Sequence, residues 1–234
     1  MGTGGAIVIF TYFITRMMAM DRKNTGDKAD TLTIQALQRM PYYLHCLEKA
    51  KAKGETTISA TSIANELKLN DVLVRKDIAA VCSTKGKPKS GFPVDELISD
   101  IEDYMGINDR KEAIIVGAGS LGRALLGNRE FEEYGLSITA AFDINKDITG
   151  RTVNNIPILD LSEMEPFCRE HGIPIVIITA PMDAAQEIAD ALVRCGIRAI
   201  WNFALVRLNV PEGVLVQNEN LASSLAMLSH HITK

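Results

Sequence analysis

The sequence predicts an α/β protein of two parts, a basic helical module followed by a domain in which strands and helices alternate around a parallel sheet. Three observations predict it. Lysine and arginine crowd the stretch 31–91 while the rest of the chain is acidic, within an overall formal net charge of −4. Two short helices meet at a tight turn inside the basic stretch. From Lys111 onward, short β-rich runs alternate with amphipathic helical ones, the pattern of a doubly wound sheet. At 234 residues, 47% of them apolar, the chain has material for two packed cores.

Residues 1–30 read as an N-terminal extension. "GGAIVIFTYFIT" is apolar but shorter than the ~20 residues that cross a bilayer, and it lacks the charged lead and cleavage site of a signal peptide. Met17, Met18 and Met20 follow at once, so a natural start at one of them is expected. Residues 31–106 form the first domain. Ile34, Leu37, Met40, Leu44 and Leu47 recur at helical spacing up to Gly54, and Pro41 predicts a break or kink. Ser59 or Thr61 caps a helix over Ser62–Leu67, and Asp71 caps the next, "DVLVRKDIAAVCS". "TKGKPKSGFP" has the composition of a wing, and "VDELISDIEDYMG" is an amphipathic connector ending at Gly106.

Residues 107–216 form the second domain. "EAIIVGAG", "LSITAAFD", "IPIVIITAP", "RAIWNFA" and "GVLVQNE" read as strands, and "MDAAQEIADALVRCGI" as a helix. "IPILDLSEMEPFCREHG" reads as a turn and a helix. Residues 217–234 form a last helix whose Leu221, Leu225 and Leu228 make an apolar stripe in need of a partner.

Gly117-x-Gly119-x-x-Gly122 follows a strand and opens a helix, and Asp143 ends the next strand at the expected distance. In such a turn the first glycine permits the bend, the second admits a pyrophosphate and the third lets helix and strand pack. An acid at Asp143 accepts ribose hydroxyls and repels a 2′-phosphate, which favours NAD over NADP. "TAP" at Thr179–Pro181 and "NFA" at Asn202–Ala204 end two further strands, where open α/β sheets bind ligands. A dehydrogenase needs an acid–base group near the hydride acceptor. His171, His230 and His231 do not fall at that edge, and there is no Tyr-x-x-x-Lys pair or zinc spacing. The four cysteines (Cys46, Cys82, Cys168, Cys195) lack metal-ligand spacing and read as reduced thiols of a cytosolic protein, with a weaker redox reading for Cys82 among its lysines. In the helix-turn-helix, Arg75 and Lys76 fall near the start of the second helix, the part that meets base edges and phosphates. Lys85, Lys87 and Lys89 line the wing, where phosphate contact predicts strong salt dependence.

Taken together, "QRMPYYLHCLEKA", "VRKDIA", "KSGFPVDELI", "IIVGAGSLGRAL", "AAFDIN", "TAPMDAAQEIADAL", "GIRAIWNFA" and "NENLASSLAMLSHHI" resemble the Rex family of redox-sensing transcriptional repressors, over about Thr31 to Ile232. The resemblance implies a winged-helix domain joined to a Rossmann domain, and a homodimer with a swapped C-terminal helix. It implies an AT-rich palindromic operator released when NADH binds, with NAD⁺ permitting DNA binding. It further implies that Gly117, Ala118, Gly119, Ser120, Leu121, Gly122 and Asp143 hold the ADP-ribose. Asn128, Thr179, Ala180, Pro181, Asn202 and Phe203 then lie toward the nicotinamide, and Ser59, Thr61, Arg75 and Lys76 toward DNA. The chain departs from the family pattern in "AAVCSTKG" after the recognition helix and in "NFAL". It departs also at His45 and Asn220, which stand where many members carry an arginine and an acid able to pair across the domains. The competing readings are an NAD-dependent oxidoreductase with an accessory N-terminal domain and a coenzyme A-binding Rossmann protein. The second is disfavoured because Asp143 would oppose the adenosine 3′-phosphate.

Overall fold

The computed structural model describes residues 33–82 and 91–232. The expectations for residues 1–30, including a start at Met17, Met18 or Met20, and for the wing lysines Lys85, Lys87 and Lys89 lie outside them. The chain divides into two compact units, Met1–Asp109 and Arg110–Lys234.

The first unit is built on helix α1 (Ile34–Ala52), capped by the Thr33 side chain, which accepts from the Ala36 N–H. Of the break or kink expected at Pro41, the break does not occur: one helix runs through Pro41. Met40, Tyr43 and Leu47 on its inner face are completely buried, and burial on that scale outweighs the backbone hydrogen bond that proline omits. Strand β1 (Thr57–Ile58) leads into α2 (Ala60–Leu67), with Ser59 as its cap. Lys68 turns the chain in the left-handed region (φ 54°), and α3 (Asp71–Val81) follows. The cap of α3 is Asn70 rather than the expected Asp71: its side chain accepts from the N–H groups of Val72 and Leu73. Asp71 instead occupies the first turn, where its charge still faces the positive end of the helix. Strand β2 (Phe92–Pro93) pairs antiparallel with β1, and α4 (Val94–Met105) ends at Gly106. Gly91 lets the strands close: its φ is +74°, and a Cβ there would sit 2.6 Å from the Ile58 carbonyl oxygen.

The second unit holds β3 (Lys111–Val116), α5 (Ser120–Leu126), α6 (Glu130–Glu133), β4 (Leu136–Asp143), β5 (Thr152–Val153) and β6 (Ile156–Asp160). A 3-10 turn then leads to α7 (Met164–His171), β7 (Ile175–Ile178), α8 (Met182–Arg194), β8 (Ala199–Asn202), β9 (Leu215–Asn218) and α9 (Leu221–Ile232). The sheet order is β5-β6-β4-β3-β7-β8-β9, parallel throughout except for β5. Strand β6 was not anticipated, because Pro157 obscures it. It gains order from two partners, β4 on one side and a two-residue hairpin to β5 on the other, with Asn154 and Asn155 both at positive φ. Four consecutive residues of β7 are buried on both faces, as a central parallel strand requires. Met164 and Cys168 of α7 and Ile188 and Leu192 of α8 pack with Val116, Phe142, Val176 and Ile200 of the strands into one core. The chain leaves β3 toward one edge of the sheet and returns at β7 toward the other, so the crevice beyond these two strand ends is the switch point of the topology.

Candidate functional site: a glycine loop and an exposed helix

At that crevice Gly117 follows β3 with φ +101°. A Cβ on Gly117 would lie 2.8 Å from the Ala180 nitrogen and 2.9 Å from the Thr179 oxygen, so the two strand ends are in close backbone contact. The Thr179 N–H donates to Val116 O (2.9 Å), and its hydroxyl donates to Gly117 O (2.6 Å). Gly122 packs onto the same carbonyl, where a Cβ would come within 2.0 Å of Gly117 O and 3.0 Å of Thr179 Oγ1. Gly119 differs: nothing of the protein lies within 4 Å of the Cβ it lacks. The first and third glycines are thus required by the fold itself, while the second leaves open space over the loop.

Asp143 ends β4 and fastens the loop from the other side. Its Oδ2 accepts the Ala118 N–H (2.6 Å), and its Oδ1 accepts the Asn145 N–H (2.8 Å). Each oxygen keeps acceptor capacity beyond these bonds. Ser120 and Leu121 are exposed on the first turn of α5, and no side chain caps that turn. Ala180 is buried behind Gly117, and Pro181 is exposed at the head of α8. Phe203 is drawn to the same edge by its N–H, which donates to Ile178 O (2.9 Å), and its ring lies 4.9 Å from that of Trp201.

Two expected ligand residues are placed otherwise. Asn202 is completely buried. Its Nδ2 donates to Val206 O and Asn218 Oδ1 (both 2.8 Å), and its Oδ1 accepts the Ala204 N–H (3.0 Å). It therefore shapes the loop that carries Phe203 instead of facing a ligand. Asn128 follows the C-terminal end of α5, the end away from the glycine loop, and its Oδ1 accepts the Glu130 N–H (3.1 Å). It lines a separate cavity of about 470 Å³ with Phe131, Ile138, Asn154 and Asn155. A seven-residue helix is enough to carry Asn128 away from the crevice.

In the first unit, Arg75 and Lys76 are exposed on the second turn of α3, and Arg75 makes an ion pair with Asp71 at 3.4 Å. The Ser59 hydroxyl accepts the Ser62 N–H, and Thr61 is exposed beside it. The sequence reading missed the group behind α3. Asp77 is buried, held by Arg39 through Nε (2.7 Å) and Nη2 (3.0 Å) and by the Tyr43 hydroxyl (2.7 Å). The Tyr43 hydroxyl is pushed far above its ordinary pKa by burial and then by the Asp77 carboxylate. The signal was present: Arg39 and Tyr43 lie four apart on α1, and Asp77 interrupts the apolar spacing Val74–Ile78. His45 is exposed beside Glu48 (3.9 Å), and the Asn220 side chain accepts the Ser223 N–H at the head of α9.

Among the described residues no cluster of three or more His, Cys, Asp or Glu side chains could hold a metal, and no helix is long and apolar enough to cross a membrane. None of the four cysteines is joined in a disulfide, and burial pushes the Cys46 thiol up to about 12. Cys82 lies half-buried at the end of α3.

Residues 34–79 match the family described as "Putative DNA-binding protein N-terminus", and residues 108–206 match "CoA binding domain". The chain is 45% identical over 193 residues to the redox-sensing transcriptional repressor Rex of Treponema denticola, a match spanning 82% of this chain and 91% of the relative. To the Rex of Bacteroides fragilis it is 38% identical, over 84% and 89%. Among solved structures, RSP in complex with β-NAD⁺ and operator DNA is similar at TM-score 0.81 and 31% identity, covering 86% of this chain and 92% of that one. RSP in complex with β-NADH is similar at TM-score 0.75 and 31% identity, covering 86% and 94%. An α/β chain with a DNA-binding N-terminal domain, a Rossmann-like parallel sheet and this extent of identity belongs to the Rex family of redox-sensing transcriptional repressors.

Proposed function

We propose that this chain binds operator DNA through α2 and α3 and releases it when the Rossmann crevice takes up NADH, so that it reads the ratio of NADH to NAD⁺. The observation that carries the nucleotide half is the contrast among the glycines. Gly117 and Gly122 are filled by their own fold, while Gly119 faces open space beside a carboxylate with unused acceptor capacity. That cradle fits a dinucleotide: the Gly119 backbone with Ser120 and Leu121 would face the pyrophosphate, and Asp143 the ribose hydroxyls. Thr179, Ala180, Pro181 and Phe203 would border the nicotinamide, and Asn202 would support them from behind. When bound, the dinucleotide supplies a ring whose charge differs between its two redox states. A surface of Pro181 and Phe203, backed by Ala180, favours the uncharged, reduced ring, and only such differential affinity shifts a conformational equilibrium. The reading involves no hydride transfer, because none of the residues that would border the nicotinamide carries an acid–base side chain.

Arg75 and Lys76, exposed on α3, would meet DNA in the major groove, with Ser59 and Thr61 at the head of α2 beside the backbone. Leu225, Met227, Leu228 and Ile232 of α9 are all more than 60% exposed, which supports a homodimer in which a partner covers them. Action on an operator would require the chain to be in the cytoplasm with the chromosome.

The match to a coenzyme A-binding family supports a second ligand reading. Calorimetric titration with NADH, NAD⁺, NADPH and coenzyme A separates the two. The proposal expects NADH tightest, NAD⁺ weaker, and NADPH and coenzyme A weakest because Asp143 opposes their extra phosphate. Coenzyme A binding tighter than NADH would overturn it.

A further inference from the structure

Among the described residues, apart from aromatic side chains and cysteines, two polar side chains are buried, Asn202 and Asp77. Asn202 belongs to the crevice already described. Asp77 lies on α3, one residue after Lys76 and two after Arg75. At 3.6 residues per turn, Arg75 points about 200° away from Asp77. Fixing Asp77 inward therefore fixes Arg75 outward.

Apolar contacts alone hold such a setting loosely. Val74 and Ile78 flank Asp77 on the buried face of α3, and their burial is favourable over a range of small rotations because it has no direction. The Arg39 fork has direction: two nitrogens meet two carboxylate oxygens at 2.7 and 3.0 Å, and the Tyr43 hydroxyl fixes Oδ2 from a third side. All three partners come from two helices only, α1 and α3. Helix α2 is joined to α1 separately, through Lys49 and Cys46 to Glu66. Buried ion pairs contribute little net stability, since desolvation offsets most of the attraction, so a stabilising role alone does not account for a charge in this core.

We propose that Arg39, Tyr43 and Asp77 form an orientation lock that sets the rotation of α3 on α1, and that Asp77 is thereby a positioning residue for base recognition. The proposal rests on the DNA-binding reading of α3. Rotation of α3 by a fraction of a turn leaves its positive charge near phosphates but moves Arg75 off its base edge. The lock therefore governs sequence discrimination, while non-specific affinity is governed by charge alone.

The test uses the full chain and the palindromic duplex that the wild type itself selects from a randomised pool, beside a scrambled duplex of equal length. The variants are Arg39→Met/Tyr43→Phe/Asp77→Leu, which replaces the lock by apolar side chains, and Arg39→Lys, which keeps the charge but loses the fork. The expected result for both is a native melting transition, unchanged NADH affinity and an unchanged salt slope on scrambled DNA. The selected-over-scrambled affinity ratio falls about tenfold, the scale of one lost base contact. A merely structural role would move the melting transition and leave that ratio alone. If the triple variant does not fold, Arg39→Lys decides. A folded variant with the wild-type ratio overturns the lock. If the wild type selects no sequence at all, the DNA-binding reading fails first, and the lock with it.

Discussion

The hydroxyl of Thr179 donates to the carbonyl of Gly117 at 2.6 Å, joining the ends of the two strands between which the sheet topology reverses. This bond holds the glycine loop from behind and leaves its open side at Gly119. Thr179→Val removes the donor while keeping the shape, and leaves a half-buried carbonyl short of a partner. We expect a stability loss of about 1–3 kcal/mol together with weaker NADH binding, and retention of both in Thr179→Ser. Thermal melts and NADH titrations of the two variants check this.

The glycines separate fold from ligand. Gly122→Ala places a methyl 2.0 Å from Gly117 O, so the loop must move. The expected cost is about 1–3 kcal/mol, a melting point lower by roughly 3–10 °C, with nucleotide binding lost as well. Gly119→Ala meets no protein atom within 4 Å, so its melting point should stay within about 2 °C of wild type while NADH affinity falls at least about tenfold. A Gly119→Ala variant with wild-type NADH affinity would mean that the pyrophosphate does not lie there.

Asp143→Asn should change the choice of cofactor more than the stability of the loop. The amide oxygen can still accept the Ala118 N–H, at the loss of the Asn145 bond, while the negative charge facing a 2′-phosphate is gone. The ratio of NADPH to NADH dissociation constants should fall by about tenfold, corresponding to about 1.4 kcal/mol of repulsion removed. Parallel titrations with the two nucleotides measure it.

Glu219 gives a pH dependence with a definite sign. Burial raises its pKa above the ordinary 4.5, more than the hydrogen bonds from Trp201 and Gln217 lower it. A carboxyl group with a raised folded pKa contributes stability that is complete below its unfolded pKa and is lost as pH rises through the folded one. Glu219→Gln keeps an acceptor for the Trp201 N–H (3.1 Å) without the buried charge. The variant should therefore melt higher than wild type at pH 7.5 and match it at pH 4. An equal difference at both values would contradict this.

Helix α9 exposes Leu225 and Leu228 side by side at helical spacing, 68% and 63% accessible. If a second copy covers them, Leu225→Lys/Leu228→Lys should convert the dimer to monomer in sedimentation at micromolar concentration. Its operator affinity should also fall, because two half-sites are no longer held together.

The parts legible in the sequence were those with a local cause. The Gly117–Gly122 spacing and Asp143 follow from the geometry of one turn between one strand and one helix, and the structure brings them together. Residues whose role depends on distant partners were not legible. Asp77 meets Arg39 across 38 positions, and Asn202 meets Asn218 across 16. Asn128 was expected toward the nicotinamide only from the family resemblance, and the length of α5 carries it to the end away from the glycine loop. Helix α1 continues through Pro41, where a break or a kink was expected, and strand pairing orders β6 where a turn was expected. The cap of α3 moved by one residue to Asn70, within the ordinary play of helix ends.

The central claim is that nucleotide redox state controls DNA binding. Fluorescence anisotropy of the labelled selected duplex, at fixed salt and protein concentration, tests it with NADH or NAD⁺ titrated in. NADH should release the duplex and NAD⁺ should not, and Asp143→Ala should blunt the response. Equal anisotropy at saturating NADH and NAD⁺ would contradict the claim, leaving a DNA-binding protein whose Rossmann domain reads something else.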